Sequence, residues 1–257
     1  MKAQDALVAR VRDDLEGDDR VRGLWLTGSY GSGAADELSD VDMFCLVTPQ
    51  TGGAFLRDWP EHVQETYRPL LFQQVPGAPV FNHVLEGWLR WDLVIGTGAE
   101  LSELDARQVT EVFNKDGARA GSARHRGADP DVVLEMTEEF LRVLGLLPVV
   151  VVRGELVSAV SGAALLRQTL ITLFRYRAEG AAMTGALHLN RVLPADDLAA
   201  LAALPAATAQ RSSVIEAHLA CARLFLPAAR AMLRDRYPAA LEQACLTHLE
   251  ATLGATV

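Results

Sequence analysis

Leu24-Trp25-Leu26-Thr27-Gly28-Ser29-Tyr30-Gly31-Ser32-Gly33-Ala34-Ala35-Asp36-Glu37-Leu38-Ser39-Asp40-Val41-Asp42-Met43-Phe44-Cys45-Leu46-Val47 is the stretch whose reading decides the fold. An apolar run, Leu24–Leu26, meets a glycine-serine turn. About ten residues later Asp40-Val41-Asp42 opens a second apolar run, Met43–Val47. Strand residues two apart share a face, so Asp40 and Asp42 project together from the start of one strand. Two carboxylates on one face of an apolar strand repel each other and lose solvation. A divalent cation removes that cost, and Mg²⁺ is the hard ion that shares one or two carboxylates with substrate phosphates. The small Gly28-Ser29 turn, opening a helix, offers backbone N–H groups and a hydroxyl to a phosphate. Either half alone is common as a solvated surface turn or strand end. At this spacing the two halves together suggest a site for a nucleoside triphosphate and its metal.

The same residues carry a resemblance. Gly28-Ser29 on a strand-to-helix turn, followed by Asp40-x-Asp42 on the next strand, resembles the signature of the nucleotidyltransferase superfamily. The resemblance implies a third carboxylate on a later strand, which would ligate metal or take the proton of an acceptor hydroxyl. Asp92 in Trp88-Leu89-Arg90-Trp91-Asp92-Leu93-Val94-Ile95 is the first choice and Glu86 the rival. Alternation along that strand puts Trp88, Arg90 and Asp92 on one face; an ion pair from Asp92 to Arg90 is the structural alternative. Glu37, before the pair, reads as solvated. Trp88 reads as a core residue, with a wall for an acceptor ring as the other choice.

Composition bounds the rest. A chain of 257 residues, half of them apolar, can bury a large core in one or two domains. No uninterrupted apolar run is long enough to span a bilayer, and the charged amphipathic N-terminus is unlike a signal peptide. Cys45, Cys221 and Cys245 have neither metal-ligand nor disulfide spacing. These features predict a cytoplasmic location. The formal net charge is −9, and no basic stripe with interleaved aromatics is present, which argues against a nucleic-acid partner.

Helical spacing covers 3–16. Strand-like runs follow at 22–27, 41–47, 70–75, 79–85, 88–95 and 109–113, with a helix over 53–67 that Pro60 is expected to break. The expected fold is an α+β nucleotidyltransferase module over 1–120, a mixed sheet with flanking helices, then an all-α helical bundle over 128–257. A short basic linker, including Arg124, His125 and Arg126, separates them. In the bundle Asp129-Pro130 starts a helix, Pro148 kinks or ends it, and Pro227 interrupts a later one.

A transferase module followed by a bundle is similar to the antibiotic nucleotidyltransferases, the lincosamide type first and the aminoglycoside type next. Val112-Phe113-Asn114-Lys115-Asp116-Gly117 and Arg153-Gly154-Glu155 add to that likeness. It departs at Gly87, which is followed by Trp88 where the lincosamide type has a glutamate base. The resemblance implies Mg²⁺-dependent transfer of a nucleoside monophosphate from an NTP to a small-molecule hydroxyl. Asp40, Asp42 and Asp92 would hold metal; Asp92 or Glu86 would be the base; Gly28 and Ser29 would bind the phosphates. Arg167 and Gln168, in an apolar stretch of the bundle, would reach the nucleotide. His188, Asn190 and Arg191 read as a capped loop. The resemblance also implies a homodimer with the acceptor near the subunit interface. Transfer to RNA or protein, or a non-catalytic antitoxin-like role, are the alternatives.

Overall fold

The computed structural model describes residues 2–122, 127–180, 189–254 and 256–257. The chain divides into two compact units, Met1–Arg124 and His125–Val257.

The first unit runs α1 (Lys2–Glu16), β1 (Val21–Leu26), α2 (Gly28–Gly31), β2 (Val41–Val47), α3 (Gly52–Thr66), β3 (Leu71–Gln74), β4 (Val80–Leu85), β5 (Leu89–Gly96), α4 (Gly98–Glu103) and β6 (Thr110–Asn114). Its six strands form one mixed sheet in the order β3-β4-β5-β2-β1-β6. β2 and β5 run parallel, and the other neighbours are antiparallel. Because β1 and β2 are antiparallel, the end of β1 lies beside the start of β2. The parallel pairing then brings the start of β5 to the same end of the sheet.

The central strands are apolar on both faces, as a covered sheet requires. One face carries Val21, Leu24, Met43, Cys45, Trp91 and Leu93, under Leu7, Val11 and Leu15 of α1 and Phe55, Trp59 and Val63 of α3. A smaller cluster, Trp25, Phe44, Leu46 and Leu101, fills the other face. Pro60 does not break α3: the helix is continuous, because burial of Phe55, Trp59 and Val63 along one stripe holds both halves to the sheet. Trp88 is not in a strand. It belongs to a short turn, Glu86–Trp88, with its indole 76% exposed and a left-handed backbone (φ +60°).

The second unit is all helix among the described residues: α5 (Pro130–Leu144), α6 (Leu147–Val152), α7 (Leu156–Glu179), α8 (Leu189–Val192), α9 (Ala195–Ala202), α10 (Arg211–Leu233) and α11 (Ala239–Leu253). Its core joins faces of α5, α7 and α10, with Phe140 and Phe225 stacked at 3.9 Å. Asp129 caps α5, its side chain accepting from the Asp131 N–H, with Pro130 in the first turn. That helix stops at Gly145, and Pro148 sits in the first turn of the next helix rather than ending the first. Pro227 lies inside an unbroken α10, whose buried Phe225, Leu226, Ala228 and Ala229 anchor both sides of it. α7 is long and apolar enough to cross a membrane by length and composition, although Arg167 and Gln168 interrupt it. One stripe of it, Leu166, Leu170 and Leu173, is fully buried in this unit's core.

Candidate active site

β1 ends at Leu26 and the chain turns at once. The Thr27 N–H donates to the Asp42 carbonyl at 2.9 Å, tying the turn to β2. Gly28 takes a positive φ of 55°, which glycine adopts without steric cost. Glycine is required there for a second reason: a Cβ would lie 2.1 Å from Asp42 Oδ2. The backbone thus passes directly over a carboxylate. Ser29 follows, its Oγ buried and without a hydrogen-bond partner. A buried hydroxyl without a partner is costly in a finished fold, and here it sits one residue from the carboxylate cradle.

Asp42 and Asp92 are register partners on the parallel strands β2 and β5, so they share a face. Asp40 precedes β2. One oxygen from each of Asp40, Asp42 and Asp92 can lie within 4.8 Å of the other two, and all three residues are half-buried. Among the described residues this is the one such cluster of potential metal ligands. Burial pushes the Asp42 carboxyl up to about 6; the charges of Asp40 and Asp92 add to the shift and Arg90 opposes it. Burial also raises Asp92, against a hydrogen bond from the Asn82 side chain that holds it down. An all-oxygen set with repelling, partly desolvated charges suits a hard divalent cation.

The loop before Asp40 is fixed from α1. Gln4, buried, donates from Nε2 to the carbonyls of Glu37 (3.1 Å) and Ser39 (3.4 Å). Arg90 lies across the cluster, with Nη1 3.3 Å from Asp40 Oδ2, and Nη2 donating to the Leu38 carbonyl at 3.3 Å. Arg90 therefore pairs with Asp40, where the sequence alone had offered Asp92. Beneath β5, buried His83 stacks on Trp91 at 4.3 Å and donates from Nδ1 to its carbonyl at 2.8 Å. Burial lowers that imidazole to about 4, so it stays neutral where it packs against the strand that carries Asp92.

Gly28, Ser29, Asp40, Asp42 and Asp92 are thus brought to one end of one sheet. Glu86 is not in the carboxylate cluster; it is exposed in the turn between β4 and β5. Glu37 is exposed, as expected of a solvated group. Arg167 and Gln168 belong to the second unit, where Arg167 Nη2 donates to the Leu201 carbonyl at 3.0 Å and Gln168 is exposed. Asn190 and Arg191 lie in α8, and His188 is outside the described residues. Gln4, Asn82 and the Arg90–Asp40 pair were not legible beforehand. Asn82 faces Asp92 only once the β4–β5 register is known. Its one local signal is a polar residue between buried Phe81 and His83.

Residues 8–76 match the model of the nucleotidyltransferase domain family. The chain carries a nucleotidyltransferase domain. The match includes Gly28, Ser29, Asp40 and Asp42 and stops before Asp92, which the sheet supplies. No curated protein sequence matches the chain. Among solved structures the chain is similar to an aminoglycoside 6-adenyltransferase from Bacillus subtilis, at 15% identity over 95% of this chain and 96% of that one, with a TM-score of 0.44. It is also similar to a nucleotidyltransferase-like protein from Exiguobacterium sibiricum, at 12% identity over 96% and 87% of the two chains, with a TM-score of 0.37. The nucleotidyltransferase assignment makes an NTP and an acceptor the two substrates.

Proposed function

We propose that this nucleotidyltransferase moves a nucleoside monophosphate from an NTP to a hydroxyl of a small molecule, an antibiotic of the lincosamide or aminoglycoside type, and releases pyrophosphate. The convergence of Asp40, Asp42 and Asp92 beside the Gly28-Ser29 turn is the observation that carries this reading. The three carboxylates would hold Mg²⁺. When bound, that ion neutralises triphosphate charge and stabilises the charge that develops at the α-phosphoryl group.

The protein's own groups do the rest by position and electrostatics. Ser29 Oγ, buried and unpartnered, would donate to a phosphate oxygen. The acceptor oxygen forms a bond to the α-phosphorus while the bond to pyrophosphate breaks in line. Asp92 would take the acceptor proton: burial raises its basicity, and Asn82 holds its orientation. Glu86, exposed and outside the cluster, is the weaker choice of base.

The acceptor class rests on the sequence resemblance, and the net charge of −9 without a basic track favours a small molecule over a nucleic acid. The reading includes residues 1–120 as the catalytic domain, 128–257 as the helical bundle domain, and a cytoplasmic homodimer. Incubation with Mg²⁺, each of the four NTPs and a panel of antibiotics tests it. A mass gain of one nucleotidyl group on one acceptor, lost in Asp42→Asn, is the expected result. Labelling of RNA or protein, with no small molecule modified, would overturn the acceptor class.

A further inference from the structure

Arg90 is placed where a metal-dependent site has reason not to put a cation. It stands two residues before Asp92 on β5, and among the described ion pairs it is the one that reaches the carboxylate cluster. One guanidinium nitrogen lies 3.3 Å from Asp40 Oδ2, and the other is anchored on the Leu38 carbonyl at the same distance. The guanidinium therefore compensates part of a concentrated negative charge when no other cation is present.

An arriving divalent ion meets both attraction from three carboxylates and repulsion from a guanidinium a few ångströms away. A triphosphate sharing that ion would reverse the second effect by bringing phosphate oxygens toward the guanidinium. Guanidinium forks match phosphate oxygens as well as carboxylates. We propose that Arg90 is a built-in counter-ion: it neutralises the cluster in the free enzyme, weakens binding of metal alone, and transfers its contact to the triphosphate when metal and nucleotide bind together. It is a positioning residue that couples the two ligands and selects the metal–nucleotide complex over the bare ion. This inference rests on the metal-site reading of Asp40, Asp42 and Asp92.

The coupling makes the effects of charge removal opposite in sign, which a purely structural role does not. In Arg90→Gln, Mn²⁺ alone, followed by electron paramagnetic resonance on the full chain, should bind about tenfold tighter than in wild type. The Mn²⁺ complexes of the four α,β-methylene NTP analogues, measured by calorimetry, should bind about tenfold weaker for whichever analogue the wild type accepts. Arg90→Lys keeps the charge and should leave affinity for Mn²⁺ alone within about threefold of wild type. Melting curves establish that both variants are folded. Mn²⁺ affinity in Arg90→Gln that is unchanged or weaker, with Asp42→Asn abolishing Mn²⁺ binding, overturns the counter-ion role and leaves the metal site standing. Mn²⁺ binding unaffected by Asp42→Asn overturns the metal-site reading itself, and the inference with it.

Discussion

Gly28→Ala is the most informative single methyl group that can be added to this chain. The new Cβ would sit 2.1 Å from Asp42 Oδ2, short of ordinary contact, which begins at 3.4 Å, by about 1.3 Å. The obstructing atom is the far end of a side chain, so Asp42 can swing aside while β1 and β2 keep their pairing. Cγ and Cβ of Asp42, at 3.0 and 3.3 Å from the added atom, push in the same sense. The fold then loses only the cost of a left-handed alanine, about 1–2 kcal/mol. The site loses far more. A misplacement on the order of 1 Å costs roughly a hundredfold in rate, so kcat/KM for pyrophosphate release should fall at least that much. Gly33→Ala is the matched control. Its φ is +72°, but nothing lies within 4 Å of an added Cβ, so it carries a similar backbone cost without touching the carboxylates. Parallel melting curves and pyrophosphate-release kinetics on both variants separate the effects. If Gly28→Ala retains kcat/KM within about threefold of Gly33→Ala, the close approach of Gly28 to Asp42 is not what shapes the site.

Asp42→Asn should abolish transfer yet raise the melting temperature of the metal-free protein. Its folded carboxyl is pushed up to about 6 from 3.8, so as pH rises through that window the native state loses stability to the charged form. Removing that charge should return about 1–2 kcal/mol at neutral pH, after discounting for partial exposure. Asn82→Ala removes the hydrogen bond that holds Asp92 down. The acid limb of the kcat profile should move to higher pH, with kcat reduced about tenfold. His83 titrates at about 4 when folded against 6.5 unfolded, so the unfolded chain binds more protons between those values. Stability should fall as pH drops through that window, by at most about 3 kcal/mol, and His83→Phe should flatten the dependence seen in urea midpoints.

The local grammar of this fold was largely readable. Alternation marked the strands, helical spacing marked α1 and the helices of the second unit, and Asp129-Pro130 announced a helix start. Pro60 and Pro227 misled, because a proline inside a helix removes one hydrogen bond and crowds one carbonyl, while a buried stripe such as Phe55-Trp59-Val63 offsets that in packing. Trp88 misled because alternation was extended one residue too far, across Gly87 with its positive φ. At the site, Asp40 and Asp42 were legible because their spacing is local. Asp92 as their neighbour depended on family likeness, and only the parallel register puts it beside Asp42. Gln4, Asn82 and the partner of Arg90 are set wholly by contacts between distant segments, which no periodicity records.

The pairing of β2 with β5 has a kinetic side. It is the sheet's one parallel contact, and it joins residues fifty positions apart, Asp42 and Asp92, across the whole β3–β4 hairpin. The antiparallel neighbours β1–β2, β3–β4 and β4–β5 close shorter loops and can form first, since loop-closure entropy delays non-local pairing. Docking of β5 on β2 therefore presses like charges together, and the repulsion opposes it. A divalent ion captured at that moment would speed the step by removing the repulsion. Nucleotide chemistry would then switch on only when β5 is in register with β2. A chain emerging from synthesis has no assembled carboxylate cluster until β5 has docked against β2, so it cannot act on an acceptor half-folded.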